Sequence, residues 1–385
     1  MTEVSLTACP DYDESRVFEA VNKAVELVGG IKKFVKPGQK VLIKPNMMGG
    51  HPPEAGITTH PMVLKAMIRL VINAGGKPAV GDSPGYDDPR KAFVACGFKQ
   101  VCDDTGALFA DFTDGIEARN PTGLRFKSYT IARAAREADV IINLPKLKTH
   151  HLTGITGAVK NMFGCVPGLL KTEYHVKIPR VYDFSLMLLD IGELLKPSLT
   201  IMDAVKVMEG EGGPVNGALK NFGLIAASDS PSALDHTICR LIDLDPVLVP
   251  TLKAAMDNGF DPEKVKIIGE MIKRPDFKKI SVIPNDVFPG PPWMRRFISN
   301  LASEKPVLNR DKCIHCGICF NVCKSMAIDF TKKIPVYNYN KCIRCFCCAE
   351  MCPQKAIDIK RGFLSVVFHK LVKIIVEMRS RSKRG

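Results

Sequence analysis

Short apolar runs alternate with segments of helical periodicity from the start of the chain to about residue 285. The runs, which are rich in β-branched residues, predict five strands: Lys40–Ile43, Pro78–Val80, Asp139–Ile142, Leu199–Met202 and Phe222–Ile225. The periodic segments predict four helices, the first two of which stop at paired glycines: Ser15–Val28, His60–Ala74, Val181–Leu195 and Ser232–Ile242. This alternation predicts an α/β domain that consists of a mostly parallel sheet with flanking helices.

The pattern breaks at a proline-rich stretch, residues 286–292. A chain of 385 residues suits a large core domain together with a smaller one. We therefore predict an α/β core over residues 1–285, a linker over 286–305, a small domain over 306–360 and a tail over 361–385.

Cysteines dominate the predicted small domain. Two runs share one spacing and lie 29 residues apart: Cys313, Cys316, Cys319 and Cys323, then Cys342, Cys345, Cys348 and Cys352. The tripeptide Ala327–Asp329 recurs as Ala356–Asp358 at the same distance, which indicates an internal duplication. Two complete runs predict two 4Fe-4S clusters. A zinc ribbon is the weaker alternative, because a zinc site needs only four ligands.

The cysteine runs resemble those of bacterial-type two-cluster ferredoxins, in which three closely spaced thiolates hold one cluster and the fourth crosses to the other. This resemblance implies a ferredoxin-like fold with two interleaved ligand sets: Cys313, Cys316, Cys319 and Cys352 for cluster 1, and Cys342, Cys345, Cys348 and Cys323 for cluster 2. Lys324 stands where the first run usually has proline. The additional Cys347 is predicted to be a buried residue that does not bind iron.

Polar residues cluster where the predicted strands end, and ligands gather at the carboxyl ends of parallel strands. Lysines there supply positive charge, and the many glycines of residues 154–168 let backbone amides approach a ligand. The pattern favours a small anionic substrate, such as a phosphate or carboxylate, although solvated caps and turns are the alternative for each residue. The predicted substrate-binding residues are Lys44, Asn46, Lys146, Lys148, Lys160 and Asn161.

His150 and Asp82 are the candidates for proton transfer. A packed histidine and a side chain that caps a turn are the structural alternatives. Because His150 and His151 are adjacent, we expect at most one of them to face inward. Asp82, Asp203 and Glu209 are also suited to a divalent metal. No flavin motif is visible, so a flavin and a divalent metal both stay open as further cofactors.

Residues 4–285 as a whole resemble the domain-of-unknown-function 362 family, whose members are often described as iron-sulfur cluster-binding proteins. The likeness rests on four features: Lys44-Pro45-Asn46, Gly81–Gly85, the long Leu144–Gly168 segment, and Asp203 followed by Glu209-Gly210. Many members carry a C-terminal ferredoxin domain, as this chain is predicted to do. The resemblance implies no particular substrate, because the family has no agreed reaction.

The net charge of +14 is concentrated toward the C-terminus, where residues 360–385 hold eight Lys or Arg against a single Glu. Basic and aromatic residues are not interleaved elsewhere, so we expect no nucleic-acid binding. The apolar face within 363–378 indicates either a helix on an anionic membrane surface or one packed on the small domain. The N-terminus lacks a basic-then-apolar leader. We therefore predict a cytoplasmic protein, with possible peripheral contact at the inner membrane face.

Together these features predict an iron-sulfur oxidoreductase. Low-potential electrons from a redox partner protein would pass through the clusters to an anionic substrate or cofactor on the α/β domain. The alternative is a non-catalytic electron carrier or assembly subunit whose α/β domain docks a partner, with the positive charge steering acidic proteins.

Overall fold

The computed structural model describes residues 1–280 and 303–360. They form two compact units: residues 1–171 with 182–280, and residues 172–181 with 303–360. Most of the predicted linker (286–302 of 286–305) and all of the predicted tail (361–385) lie outside the described residues.

The first unit is an α/β structure. Its strands are β1 (Thr2–Ala8), β2 (Lys40–Pro45), β3 (Lys77–Val80), β4 (Leu108–Phe109), β5 (Gly115–Arg119), β6 (Ser128–Ala132), β7 (Val140–Leu144), β8 (Lys146–His150), β9 (Gly154–Thr156), β10 (Leu199–Glu209), β11 (Ala218–Ser228) and β12 (Val265–Gly269). Its helices are α1 (Glu14–Leu27), α2 (Ile31–Phe34), α3 (Pro61–Asn73), α4 (Pro89–Ala95), α5 (Phe98–Thr105), α6 (Arg133–Arg136), α7 (Ala158–Asn161), α8 (Leu170–Lys177, which runs on into the second unit), α9 (Val181–Leu195), α10 (Pro231–Leu241) and α11 (Pro250–Asp257).

The main sheet has the strand order β12-β1-β11-β10-β7-β2-β3-β4. All neighbours are parallel except β11, which runs antiparallel to both β1 and β10. The predicted fold class is confirmed, as are the five strands and four helices, although β10 and β11 are much longer than predicted.

Two apolar cores lie on the two faces of this sheet. Alternate residues of β11 show the division: Ile225 and Ala227 belong to the core that contains α1 and α3, whereas Leu224 and Ala226 belong to the core that contains α10. A strand sends successive side chains to opposite faces, so a sheet covered by helices on both sides needs apolar residues throughout. His60 caps helix α3 by accepting a hydrogen bond from the N–H of Met62, Pro61 is the first helical residue, and the helix ends before Gly75 and Gly76.

Strand β8 was not predicted, because its polar residues were expected to lie where the third predicted strand ends. It instead pairs in parallel with β10 and forms an antiparallel hairpin with β9. All five of its residues, Lys146–His150, are buried. Its sequence carries no apolar alternation because its polar side chains find partners inside the protein.

The second unit has a much smaller core. Antiparallel pairs join β13 (Lys305–Leu308) to β16 (Ile357–Lys360) and β14 (Ile328–Asp329) to β15 (Val336–Tyr337). Two helices of four residues each, α12 (Ile318–Asn321) and α13 (Cys347–Glu350), lie within the cysteine runs. The buried apolar cluster consists of Cys319, Ile328, Cys348, Ala349 and Ile357. Two of these five core residues are predicted cluster ligands.

Candidate functional site

A buried ion pair lies at the carboxyl end of β2. The Nζ atom of Lys44 is 2.8 Å from Oδ1 of Asp82, and both side chains are at most 3% exposed. Asp82 also accepts hydrogen bonds from the backbone N–H groups of Met47 and Ser83. Burying two charges is tolerated only when each is paired and hydrogen-bonded, as they are here. Lys44 and Asp82 were predicted separately, as a substrate-binding residue and a proton donor, and the structure brings them together.

Gly164 passes directly over this ion pair. A Cβ atom at Gly164 would lie 2.0 Å from Oδ1 of Asp82 and 2.6 Å from Nζ of Lys44. No side chain fits in that space without breaking the pair. Glycine is therefore required here for close backbone approach.

A second buried network surrounds Asp203, at the start of the long extension of β10. Its carboxylate accepts hydrogen bonds from Nζ of Lys146 at 2.9 Å, from the Tyr12 hydroxyl at 2.8 Å and from the backbone N–H of His60 at 2.9 Å. Burial lowers the pKa of Lys146 against the opposing effect of Asp203. Burial and the Asp203 charge raise the pKa of Tyr12.

His60 and Tyr12 were not among the predicted site residues. Their rings stack with centroids 3.6 Å apart. Burial, followed by the nearby Lys146 charge, lowers the pKa of His60 to about 4, and Asp203 opposes this shift. The imidazole is therefore neutral at physiological pH, and its Nδ1 accepts a hydrogen bond from the N–H of Met62. The sequence pattern placed His60 at the start of a predicted helix, whereas no pattern near Tyr12 indicated a functional residue.

A chain of amides connects Lys148 to the first ion pair. The Nζ atom of Lys148 donates to Oδ1 of Asn46 at 2.8 Å, and Asn46 donates to Oδ1 of Asn161 at 3.1 Å. Asn161 donates in turn to Oδ1 of Asn143 at 2.7 Å and to the backbone oxygen of Lys44. The structure thus brings Lys148, Asn46 and Asn161 together, and adds Asn143, which was not predicted.

Lys146, Lys148 and His150 alternate along β8 and therefore project from the same face of that strand. Nδ1 of His150 accepts hydrogen bonds from the N–H groups of Leu152 and Thr153, which places its proton on Nε2. The expectation that at most one of His150 and His151 faces inward is wrong, because they are 2% and 6% exposed. The hairpin of β8 and β9 is buried throughout, so the turn between these strands leaves neither ring in solvent.

Of the eight predicted site residues in the α/β unit, only Asn46 and Lys160 are half-exposed. Lys160 lies at the end of α7, next to Asn161. Helix α7 is held by Asp235, whose carboxylate accepts from the N–H groups of Ala158 and Val159. Burial raises the pKa of Asp235 to about 7, although these two hydrogen bonds oppose the shift.

Lys171 was also missed, and it lies beside a cavity. Its Nζ donates to the backbone oxygens of Ser83 and Val166. The residue is half-buried, and burial of its ammonium group lowers its pKa to about 7, against the effect of Asp82. The cavity has a volume of about 320 Å³, within the range of small-molecule sites. It is lined by Ser83, Pro84, Gly85, Tyr86, Asp87, Pro89, Thr113, Pro167, Gly168 and Leu169.

In the second unit, all four thiols predicted for cluster 1 line one cavity: Cys313, Cys316, Cys319 and Cys352. Burial, followed by the charges of Cys345, Cys342, Cys323 and Cys319, raises the pKa of Cys348. The thiols predicted for cluster 2 therefore lie near Cys348, as does Cys319 of the cluster 1 set. Over residues 1–280 and 303–360, no three metal-binding side chains converge as ligands of a single ion do. A cubane cluster takes its thiolates from separate corners, so two sets of four spaced thiols fit this group.

The duplication predicted from the spacing is visible in the backbone. Positive φ angles occur at His315, Gly317 and Met326, and again 29 residues later at Arg344, Phe346 and Lys355. The N–H of Ala327 donates to Sγ of Cys323 at 3.3 Å, and the N–H of Ala356 donates to Sγ of Cys352 at 3.2 Å. Such bonds tune iron-sulfur centres. Cys347, predicted to be buried, is 5% exposed.

The family model of a domain of unknown function, DUF362, matches residues 41–240. The chain belongs to the DUF362 family. A 4Fe-4S dicluster domain matches residues 312–362. This DUF362 protein therefore contains a ferredoxin domain over residues 312–362 that binds 4Fe-4S clusters, which supports an electron-carrier role. The interleaved ligand sets stay a prediction.

The chain is 35% identical over 265 residues to the thylakoid-associated protein sll1697 of Synechocystis sp., covering 69% of this chain and 82% of that protein. Two solved structures are more distant. The lactate racemase apoprotein of Thermoanaerobacterium thermosaccharolyticum has a TM-score of 0.41 at 12% identity, over 63% of this chain. A Thermotoga maritima protein has a TM-score of 0.36 at 16% identity, over 58% of this chain. The chain spans 56% and 57% of these two proteins.

No helix within residues 1–280 and 303–360 has the length and apolar character needed to cross a bilayer.

Proposed function

We propose that this DUF362 protein is an iron-sulfur oxidoreductase that passes low-potential electrons through two 4Fe-4S clusters to an anionic substrate or cofactor on the α/β unit. The clusters supply single electrons when bound. Cys313, Cys316, Cys319 and Cys352 would hold one cluster, and Cys342, Cys345, Cys348 and Cys323 the other.

The observation that carries the proposal is the concentration of buried charge at one edge of the sheet. Lys44, Lys146 and Lys148 are each at most 1% exposed. Burying an ammonium group costs several kcal/mol by general estimates, and an apolar side chain of similar volume is often as stable or more so. A purely structural scaffold gains little from three such groups. Burial lowers the pKa of Lys146, and buried ionisable groups with shifted pKa values concentrate at functional sites.

An anionic ligand would meet the site at its half-exposed residues. Asn46 and Lys160 are the two predicted residues that reach solvent, and Asn46 contacts the Lys148 ammonium group directly. We place the negative group of the ligand here, where Lys148 would stabilise it from behind Asn46. Asn161, which donates to Asn143 and accepts from Asn46, would fix the orientation of Asn46.

Reduction of an organic substrate consumes protons as well as electrons. Asp82 lies in an ion pair, and His150 is fixed with its proton on Nε2. Lys171, whose pKa is lowered to about 7, would exchange a proton near neutral pH beside the 320 Å³ cavity. We therefore add Lys171 to His150 and Asp82 as a candidate proton donor. A flavin or a divalent metal as a further cofactor remains part of the hypothesis.

A single substitution tests this proposal. The anaerobic protein with reduced clusters is mixed with small-molecule and protein fractions of a cell extract, and cluster reoxidation is followed by absorbance. Native protein is compared with Lys148→Met and with a control, Lys266→Met, which changes a 53% exposed lysine on the edge strand β12. We expect a small-molecule fraction to reoxidise native protein and the control at least 10-fold faster than Lys148→Met. Equal rates for all three proteins would contradict the proposal.

One observation favours the second candidate, a non-catalytic carrier whose α/β unit docks a partner. Lys44 and Lys146 already have carboxylate partners, Asp82 and Asp203, so their charges are compensated without a ligand. In that case only protein fractions would reoxidise the clusters, and Lys148→Met would leave their rate unchanged.

The basic tail, residues 361–385, provides a membrane contact in this proposal. Support comes from its Lys and Arg content and from the thylakoid association in the name of the Synechocystis relative. We expect the protein to pellet with anionic liposomes at low salt. It should no longer pellet at high salt or after removal of the tail.

A further inference from the structure

The two cysteine repeats are related by a shift of 29 residues but differ in exposure. His315 and Cys316 are exposed, whereas their counterparts Arg344 and Cys345 are buried and half-buried. Arg344 is only 6% exposed and donates to the backbone oxygen of Tyr339 at 2.9 Å. The first cysteine run is therefore more exposed than the second at these two positions, one of which carries a thiol of the cluster 1 pocket.

Large apolar side chains lie beside this pocket. Ile314 is 59% exposed and Phe320 is 47% exposed. The Phe320 ring stacks on that of Phe330 with centroids 6.1 Å apart, and Ile314 and Phe330 both line the cluster 1 pocket. We name Ile314, Cys316, Phe320 and Phe330 the first-repeat surface. A contiguous group of exposed apolar side chains, such as this one beside the cluster 1 pocket, indicates an interaction site.

The charges around this surface are mainly positive. Residues 310–336 contain five exposed basic side chains and two exposed acidic ones. The basic residues are Arg310, Lys312, Lys324, Lys332 and Lys333, and the acidic residues are Asp311 and Asp329. Lys312 is two residues from Ile314, and the turn that carries Lys332 lies between Phe330 and Pro335, which both line the pocket. An apolar centre with a charged rim is the usual composition of a protein interface.

We propose that an acidic electron-donor protein docks on the first-repeat surface and delivers electrons to the cluster held by Cys313, Cys316, Cys319 and Cys352. In each encounter the partner is oxidised by one electron and one 4Fe-4S cluster is reduced by one electron, with no bond made or broken. Charge complementarity selects the partner, because a basic rim repels basic proteins and a second copy of this chain. The inference rests on the ferredoxin unit and is independent of the proposed substrate site.

The duplication supplies a matched control. Lys312 and Lys341 occupy equivalent positions in the two repeats, and both are exposed. Cluster-loaded native protein, Lys312→Glu and Lys341→Glu are titrated with a purified acidic flavodoxin by calorimetry at low and high salt. The rate of cluster reduction by the reduced flavodoxin is followed in parallel, and iron content confirms that each variant is loaded.

We expect Lys312→Glu to weaken binding about 10-fold at low salt and Lys341→Glu less than 2-fold, with the difference vanishing at high salt because salt screens exposed charges. Ile314→Ser should weaken binding several-fold at both salt concentrations. Reduction by dithionite, a small molecule, should be the same for all four proteins.

Equal effects of Lys312→Glu and Lys341→Glu, or no binding of the flavodoxin, would overturn the proposal. So would self-association of the native protein in sedimentation experiments that Ile314→Ser abolishes, since the surface would then be occupied by a second copy. Failure of these tests would leave the comparison of Lys148→Met with native protein untouched.

Discussion

The two units of this protein support their polar groups in different ways. The α/β unit has two large apolar cores, one on each face of its sheet, and it holds the buried pairs Lys44–Asp82 and Lys146–Asp203. The ferredoxin unit has a core of five buried residues, of which Cys319 and Cys348 are two. A large core compensates for the desolvation of buried charges, whereas a small domain depends on its bound clusters for stability. Four predictions test this difference.

The largest effect is expected from loss of a cluster. Cys319→Ser removes a predicted ligand that is also a core residue, so residues 303–360 should lose their protection from hydrogen exchange while residues 1–171 and 182–280 keep theirs. Mass spectrometry of exchange, together with iron and sulfide analysis, measures both. Cys347→Ser, at a buried cysteine that is not a predicted ligand, should retain full iron. Equal iron loss in both variants would contradict the assignment.

Breaking the Lys44–Asp82 pair should destabilise the α/β unit strongly. Either Lys44→Ala or Asp82→Ala leaves one buried charge without its partner, which typically costs about 3–5 kcal/mol. The apolar double variant Lys44→Met/Asp82→Leu should recover most of this loss, since it buries no charge. Urea unfolding measures the free energies. A loss below about 1 kcal/mol in both single variants would show that the pair is hydrated.

Asp235 should make the α/β unit more stable at acid than at neutral pH. Its pKa is raised from 3.8 to about 7, so between these values the folded state holds a proton that the unfolded state has released. Stability should fall by about 1.4 kcal/mol per pH unit over this window and level off above it. Asp235→Asn should remove this slope.

The native pH profile also contains the opposite contribution of His60, whose pKa is lowered from 6.5 to about 4. Burial of neutral His60 makes stability rise between these values. The Asp235 contribution is therefore measured as the difference between native protein and Asp235→Asn in urea unfolding from pH 4 to 8. A difference that does not change with pH would contradict the assignment.

The smallest effect is expected at Tyr12. Tyr12→Phe keeps the ring stacked on His60 but removes the hydroxyl that donates to Asp203, which should cost about 1–3 kcal/mol. Tyr182→Phe removes a surface hydroxyl bonded to Asp257 and should change stability by at most about 0.5 kcal/mol. Thermal unfolding of both variants measures the two losses of stability. Equal decreases in melting temperature would show that burial of the Tyr12 network adds nothing to stability.

The ferredoxin unit could be predicted from sequence because its chemistry is local. Three of the four thiols that line the cluster 1 pocket come from one run. The 29-residue repeat is visible in the sequence and again in the φ angles of His315 and Arg344. The regular strands of the α/β unit could also be predicted from sequence. Strands such as β2 and β7 are buried on both faces and therefore appear as continuous apolar runs.

The α/β site could be predicted only in part. Clustered polar residues indicated Lys44, Asn46 and Lys148, but the partners of a buried charge are set by tertiary packing. Asp203 meets Tyr12 across 191 residues of sequence, and no local pattern records such a contact. Strand β8 was missed for the same reason: its lysines are buried only because distant groups pair with them.

The most direct test of the proposed oxidoreductase is a single-turnover electron count. The protein is reduced anaerobically, freed of excess reductant and mixed with the active small-molecule fraction, and spin quantification of the clusters is compared with the amount of substrate converted. We expect each substrate molecule that is reduced to take two electrons, one from each cluster, and we expect Lys148→Met to convert none while its clusters stay reduced. Cluster reoxidation without chemical change in any small molecule, at equal rates in both proteins, would contradict it and leave an electron carrier.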